Sequence, residues 1–193
     1  MNIKQLAAAM ILSTAAGTVL ADGAPSAGAY KIDAAHSVAY FEVGHAGGIS
    51  RFMGRFNDIS GDVVVEGGKS RVKVDIKADS IDTKHEGLDK HLKSPDFFNA
   101  VQFPTISFVS TAANLTPQGG GTLAGNLTML GVTKPVTFQL KFIGAGPGPR
   151  GDARIGYVAT SAIKRSDFGM KYGIPKAATD EVELRINIEA IKQ

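Results

Sequence analysis

The chain has 193 residues, no cysteine, a formal net charge of +3 and a mean hydropathy of +0.03. Without cysteine there is no disulfide framework, no thiolate metal site and no cysteine nucleophile. Its charges alternate in sign along the chain rather than forming the basic stripe that nucleic-acid binding requires, so no nucleic-acid partner is expected.

Read in chain order, the N-terminus is an export address. Lys4 is positive, residues 6–12 are apolar, residues 13–21 are small and weakly polar, and Val19-Leu20-Ala21 offers a cleavage site before Asp22. This order predicts a signal peptide over residues 1–21, a periplasmic location and one domain over residues 22–193. The apolar run falls short of the roughly 20 residues a spanning helix needs. No later segment is apolar for long enough, so no transmembrane segment is expected in the mature chain.

Beyond that address the dominant signal has a period of two. Alternation is weak in residues 38–43 and 59–65, then clear where Val72, Val74 and Ile76 alternate with Lys73, Asp75 and Lys77. It breaks at Thr83-Lys84-His85-Glu86, which fits a capping box, with Leu88 and Leu92 four residues apart and Pro95 as a stop. A short helix is predicted there, leading into Asp96-Phe97-Phe98 and lying across an end of the fold. Alternation returns weakly in residues 105–109, 123–129 and 155–163, and clearly in residues 136–142 and 182–188. Turn residues separate these runs at Glu66-Gly67-Gly68, residues 117–121, Gly131 and a loop over residues 144–151.

About eight strands with short connections predict an all-β protein, an eight-stranded antiparallel β-barrel with one or two short helices. Closure would remove the exposed edges, and a β-sandwich is the structural rival. A barrel of eight is just wide enough to hold side chains or one small ligand.

The motifs that carry chemistry elsewhere do not assemble in this sequence. His36, His45, His85 and His91 lack the spacing of a metal site, so no metal and no cofactor are expected. There is no G-x-S-x-G elbow, and Gly146-Pro147-Gly148-Pro149-Arg150-Gly151 matches a dinucleotide pattern only formally, because its prolines exclude the strand–turn–helix context. No catalytic residue is assigned. Ten phenylalanines and no tryptophan form an aromatic set without polar handles. The pair Phe97-Phe98 follows a helix stop, and both rings cannot face one side of a strand. A closed barrel with a helical flap and such residues inside makes a tunnel.

Four ordered blocks carry a resemblance. They are Tyr30-Lys31-Ile32-Asp33 with His36-Ser37, Phe41, Val43, His45 and Gly54-Arg55-Phe56; then His91-Leu92-Lys93-Ser94-Pro95-Asp96-Phe97-Phe98 with Phe103-Pro104-Thr105-Ile106-Ser107-Phe108. The others are Gly125-Asn126-Leu127-Thr128-Met129 with Gly131-Val132-Thr133-Lys134-Pro135-Val136, and Arg165-Ser166-Asp167-Phe168-Gly169-Met170. Together, from Tyr30 to the C-terminus, they resemble the YceI-like family, also described as polyisoprenoid-binding, with a lipocalin-like barrel. The resemblance implies an extended eight-stranded barrel with an interior pore, holding a polyisoprenoid, a quinone or a fatty-acid derivative.

On that reading the tunnel is lined by Phe41, Phe52, Phe97, Phe98, Phe103, Phe108, Leu127, Met129, Phe168 and Met170. A head group at the mouth would draw donors from His36, His45, Arg51 and Arg55, and from Arg165 or Lys171. Arg165 and Asp167 have an alternative role, pairing as same-face neighbours on a strand. Residues 84–98 would gate the mouth. The expected activity is binding and carriage of an apolar small molecule, not catalysis. Two alternatives stay open: a barrel filled by its own side chains, in a structural or stress-response protein, and a lipid- or quinone-modifying enzyme using His36 or His45. Homodimerisation through the C-terminal strand is also open.

Overall fold

A computed structural model describes residues 24–193. The expected signal peptide, residues 1–21, lies outside the described residues. The strands are β1 (Gly28–Ile32), β2 (Val38–His45), β3 (Ser50–Phe56), β4 (Ile59–Val65), β5 (Arg71–Lys77), β6 (Ile81–Asp82), β7 (Thr105–Leu115), β8 (Gly121–Met129), β9 (Val132–Pro147), β10 (Ala153–Lys164) and β11 (Ala178–Lys192). Among the described residues one α-helix, α1 (Glu86–Leu92), stands between β6 and β7.

All pairings are antiparallel, and the β1–β11 pairing closes the sheet into a barrel. Three strand pairs are halves of longer strands. One-turn segments at Ala34–His36 and Ala78–Ser80 interrupt β1/β2 and β5/β6, and Asn57 and Asp58 interrupt β3/β4. Across these breaks the partners stay the same: β1 and β2 pair with successive stretches of β11, and with β4 and β3 respectively. Counted as long strands, the barrel has the eight that the sequence predicts. Residues 28–32 and 50–56 extend the two that alternation marked only in part.

The period-two pattern decides which side faces inward. Val72, Val74 and Ile76 of β5 and Val182, Leu184, Ile186 and Ile188 of β11 line the interior, while Lys73, Asp75, Glu183 and Arg185 fall on the alternate, outer positions. An apolar interior within a charged exterior is the inverse of a transmembrane barrel, which turns apolar residues toward lipid. Among the described residues no helix is long and apolar enough to cross a membrane.

Two irregularities explain where the pattern was hard to read. A bulge between Ser110 and Ala112 reverses the parity of β7, so Ile106 and Phe108 face inward first and Ala113 and Leu115 afterwards. The visible alternation therefore stops at Val109, although the strand runs on to Leu115. A second bulge lies between Gly156 and Tyr157, and β9 continues to Pro147, so the expected loop over residues 144–151 shrinks to residues 148–152. Between β8 and β9, Leu130 and Gly131 both take positive φ (55° and 73°), the conformation of a tight two-residue hairpin turn.

The helical segment repairs a gap in the wall. β7 begins at Thr105, opposite Lys77, whereas β6 turns away and pairs with β3. Residues 83–104 fill the space left beyond β7. The Ala78 N–H donates to the Pro104 carbonyl at 2.9 Å, and the Phe103 ring lies against Gly131. The cap differs from the expected Thr83 box. His85 Nδ1 accepts the Leu88 N–H at 3.1 Å, and Thr83 instead donates its N–H and hydroxyl to Asp89 at 2.8 and 2.6 Å. Lys84 takes a left-handed conformation (φ 59°), and the N-cap falls at His85 instead of Thr83, so the helix starts at Glu86.

At the opposite end Tyr30, Val65, Ile155 and Ala190 form a separate buried cluster. Outside it, Arg154 donates to Asp33, Asp152 and Glu189, joining the β1 end, the β10 start and the β11 end. Hydrogen bonds from His36 and Arg154 hold the Asp33 carboxyl down at about 2. Its ionised form thus favours the folded state, a contribution complete above pH ~4 and lost as pH falls toward 2. Denaturant titrations from pH 5 to 2 should show a shallower acid decline for Asp33→Asn than for the wild type. An identical decline would remove Asp33 from the acid response.

Candidate functional site

All eight long strands contribute to one cavity of about 690 Å³ running along the barrel axis. Its volume is that of a small-molecule site, for which ~300–1,000 Å³ is usual. The walls are aliphatic and aromatic almost throughout. Val72, Val74, Ile76, Val182, Leu184 and Ile186 face inward yet are only partly buried, because they border open space instead of one another. In a barrel filled by its own side chains these positions would be fully buried.

The mouth is located by exposure. His45, Ser50, Arg51, Tyr172 and Ala177 are the exposed lining residues, and all five lie at the end that carries α1, the β2–β3 turn and the loop before β11. Val65, Ser70 and Leu115 line the other end, beside the Tyr30 cluster. At the mouth the rings of His91, Phe97 and Tyr172 meet with centroids 5.0–5.3 Å apart, tying the helical segment to the loop before β11. Deeper in, Phe98 packs on Phe56 edge-to-face at 5.2 Å and on Phe41 at 6.4 Å. The far end of the Phe41 ring lies over Gly54, where a Cβ has no room.

Of the residues expected to line a tunnel, Phe41, Phe52, Phe97, Phe98, Phe108, Leu127, Met129 and Met170 do so. Phe168 and Phe103 do not. Phe168 is fully buried in the core beneath a one-turn 3-10 segment, and Phe103 packs outside the cavity against the β8–β9 turn. The missed lining residues are chiefly the inward Val, Leu and Ile of the strands. Their signal was present, since alternation already assigned them to the apolar face.

The expected head-group donors scatter. His45 stands on the rim. Arg51 borders the mouth, but its guanidinium is turned outward onto Glu42 and Glu183. Arg55 is on the outer wall, held by Asp82 at 2.8 and 3.1 Å, and Lys171 is exposed beyond the lining. His36 lies at the far end of the barrel, 2.8 Å from Asp33. Asp33, His36 and Glu189 converge closely enough to suggest metal ligands, but Arg154 already donates to both carboxylates.

Arg165 borders the cavity, but its setting differs from the strand pairing expected of it. It is not on a strand but opens a one-turn 3-10 segment, with 4% of its surface exposed. Its guanidinium donates to the carbonyls of Thr179, Tyr172, Ala178 and Met170 at 2.9, 2.9, 3.1 and 3.5 Å. Burial pushes its pKa down from the ordinary arginine value, with the nearby Asp180 carboxylate acting in the opposite direction. Asp167 is not its partner; the carboxylate beside it, Asp180, accepts from the Ser166 N–H and hydroxyl at 2.9 and 2.7 Å. Arg165 thus shapes the mouth by folding residues 170–179 around itself, and backbone carbonyls take up four of its five N–H donors.

A closed antiparallel barrel with an axial apolar cavity and one mouth is the architecture of an intracavity binding protein of the lipocalin-like kind. The chain belongs to the YceI-like family, whose domain model matches residues 30–190. It is 39% identical over 196 residues to a UPF0312 protein of Pseudomonas aeruginosa, covering 99% of this chain and 100% of that one. A UPF0312 protein of Shewanella sp. is 37% identical, covering 98% and 99%. Among solved structures, a YCEI protein of Campylobacter jejuni aligns with a TM-score of 0.67 and 29% identity, over 75% of this chain and 87% of that one. BcnA of Burkholderia cenocepacia aligns with a TM-score of 0.71 and 22% identity, over 82% and 98%. A polyisoprenoid-binding domain of Saccharophagus degradans, implicated in plant cell wall breakdown, aligns at 0.68 and 15%, over 85% and 98%. At such identities the last two establish the shared fold.

Proposed function

We propose that this protein is a periplasmic carrier that sequesters a long apolar molecule, a polyisoprenoid, quinone or fatty-acid derivative, in the barrel interior. The observation that carries the reading is the apolar cavity of about 690 Å³, whose exposed lining residues among those described all lie at one end. Each methylene withdrawn from water into such a site contributes about 0.8 kcal/mol, so a long tail supplies the binding energy and the head group remains at the rim. Selectivity is then by length and width. The polyisoprenoid-binding neighbour with the same fold supports this ligand class. A catalytic role for His36 has against it the position of that ring, outside the cavity at the far end of the barrel. His45 on the rim is placed to meet a head group, in binding as much as in proton transfer.

A chain-length series tests the reading. Saturated fatty acids and polyprenyl alcohols of increasing length should gain about fourfold in affinity per methylene, the equivalent of ~0.8 kcal/mol, until the tunnel is filled, and then no more. Affinities independent of length would contradict an axial tunnel site.

A further inference from the structure

The two ends of the barrel differ in what they show to solvent. At the closed end the connections are Glu66-Gly67-Gly68-Lys69-Ser70, Thr116-Pro117-Gln118-Gly119-Gly120 and Gly148-Pro149-Arg150-Gly151-Asp152, without one large apolar residue. At the mouth end three connections each expose one: Ile49 at 88%, Val101 at 96% and Tyr172 at 48%. Lone exposed apolar residues mean little, but these three stand on separate loops that all surround the apolar mouth. The loops are physically joined. The Ala46 N–H donates to the Ala177 carbonyl at 2.9 Å, and Tyr172 packs on Phe97 of the helical segment at 5.3 Å.

Charge points to the partner. Lys171 and Lys176 flank Tyr172, both are exposed, and neither is in an ion pair among the described residues. Across residues 164–177 the exposed cations Lys164, Lys171 and Lys176 face one exposed carboxylate, Asp167, while Arg165 is buried. The other mouth segment, residues 83–104, is balanced, with three lysines against Glu86, Asp89 and Asp96. Apolar tips beside an excess of lysine match the interface of an anionic bilayer. Short apolar side chains and a tyrosine enter the headgroup–acyl boundary, and lysines meet the headgroup charge.

We infer that the mouth end of the barrel, through Ile49, Val101, Tyr172, Lys171 and Lys176, docks on an anionic lipid bilayer, so that the ligand passes between membrane and tunnel without crossing water. This rests on the carrier reading for its purpose, but the docking can be measured separately.

The purified protein is sedimented with vesicles of phosphatidylethanolamine and phosphatidylglycerol, or of phosphatidylcholine alone. In parallel, uptake of a fluorescent fatty acid is measured in lipid-free buffer. The wild type should bind the anionic vesicles, and weaken as salt is raised. Binding should fall at least tenfold in the double variants Ile49→Asp/Val101→Asp and Lys171→Glu/Lys176→Glu, with probe uptake in buffer unchanged. Failure of the wild type to sediment, or variants that sediment as it does, would overturn the docking and leave the carrier reading standing. Vesicle binding by a wild type that takes up no probe would uphold the docking and overturn the carrier reading. Loss of self-association in the variants, without vesicle binding by the wild type, would assign the patch to a second copy of the chain and overturn the inference.

Discussion

Replacing Phe98 by aspartate is expected to lower ligand affinity by two orders of magnitude or more while costing about 2 kcal/mol of stability, less than a fully buried Phe→Ala change. Phe98 is half-buried where the helical segment replaces the missing wall, with its ring against Phe41 and Phe56. It is anchored through its backbone, its N–H donating to the Leu92 carbonyl at 2.9 Å, so the segment keeps its path when the ring is removed. A carboxylate on the cavity surface has to be desolvated when an apolar tail comes to lie against it, and the Phe41 and Phe56 rings beside it offer no donor. Binding therefore loses more than folding does. Probe titration alongside urea denaturation separates the two, with Phe98→Leu as the control that keeps both. Full ligand affinity in Phe98→Asp would show that the segment neither lines nor gates the route.

Arg165→Met is expected to be the more damaging to the fold, at about 3 kcal/mol or more. The substitution preserves much of the side-chain volume but leaves the carbonyls of Thr179, Tyr172 and Ala178 without their shared donor in a buried site. Each orphaned buried polar group costs about 1–3 kcal/mol, part of which relaxation and water recover. Residues 170–179 should loosen first, so amide exchange there should accelerate more than in the barrel wall. A variant as stable as the wild type would mean that these carbonyls find other partners, and would reopen Arg165 as a group free to meet a ligand.

How much of this was legible beforehand varies with the physics involved. Strands β5 and β11 could be read directly, because one face is charged and the other borders an apolar cavity, which is a strong constraint on sequence. β7 could be read only as far as its bulge, where the periodicity inverts. β1 and β3 carried little alternation, and β3 sets Gly54 under the Phe41 ring, so a gap in the pattern there was a packing device. For the site, the aromatic residues of the family blocks drew attention, and Phe168 shows the limit of that reasoning: a ring in a motif can serve the core instead of the cavity. The basic residues were least legible. Arg51 and Arg165 line the cavity and Arg55 sits between lining residues in sequence, but their directions depend on Glu183, the Thr179 carbonyl and Asp82, which only the fold brings to them.

The central claim is that the barrel holds an apolar molecule along its axis. The most direct test is native mass spectrometry of protein purified from its own host without detergent, followed by organic extraction and lipid analysis. The account predicts a one-to-one complex and an extract holding a long-chain compound, displaced when a polyprenyl or quinone probe is added. Protein of the bare polypeptide mass that also takes up none of these probes would contradict it.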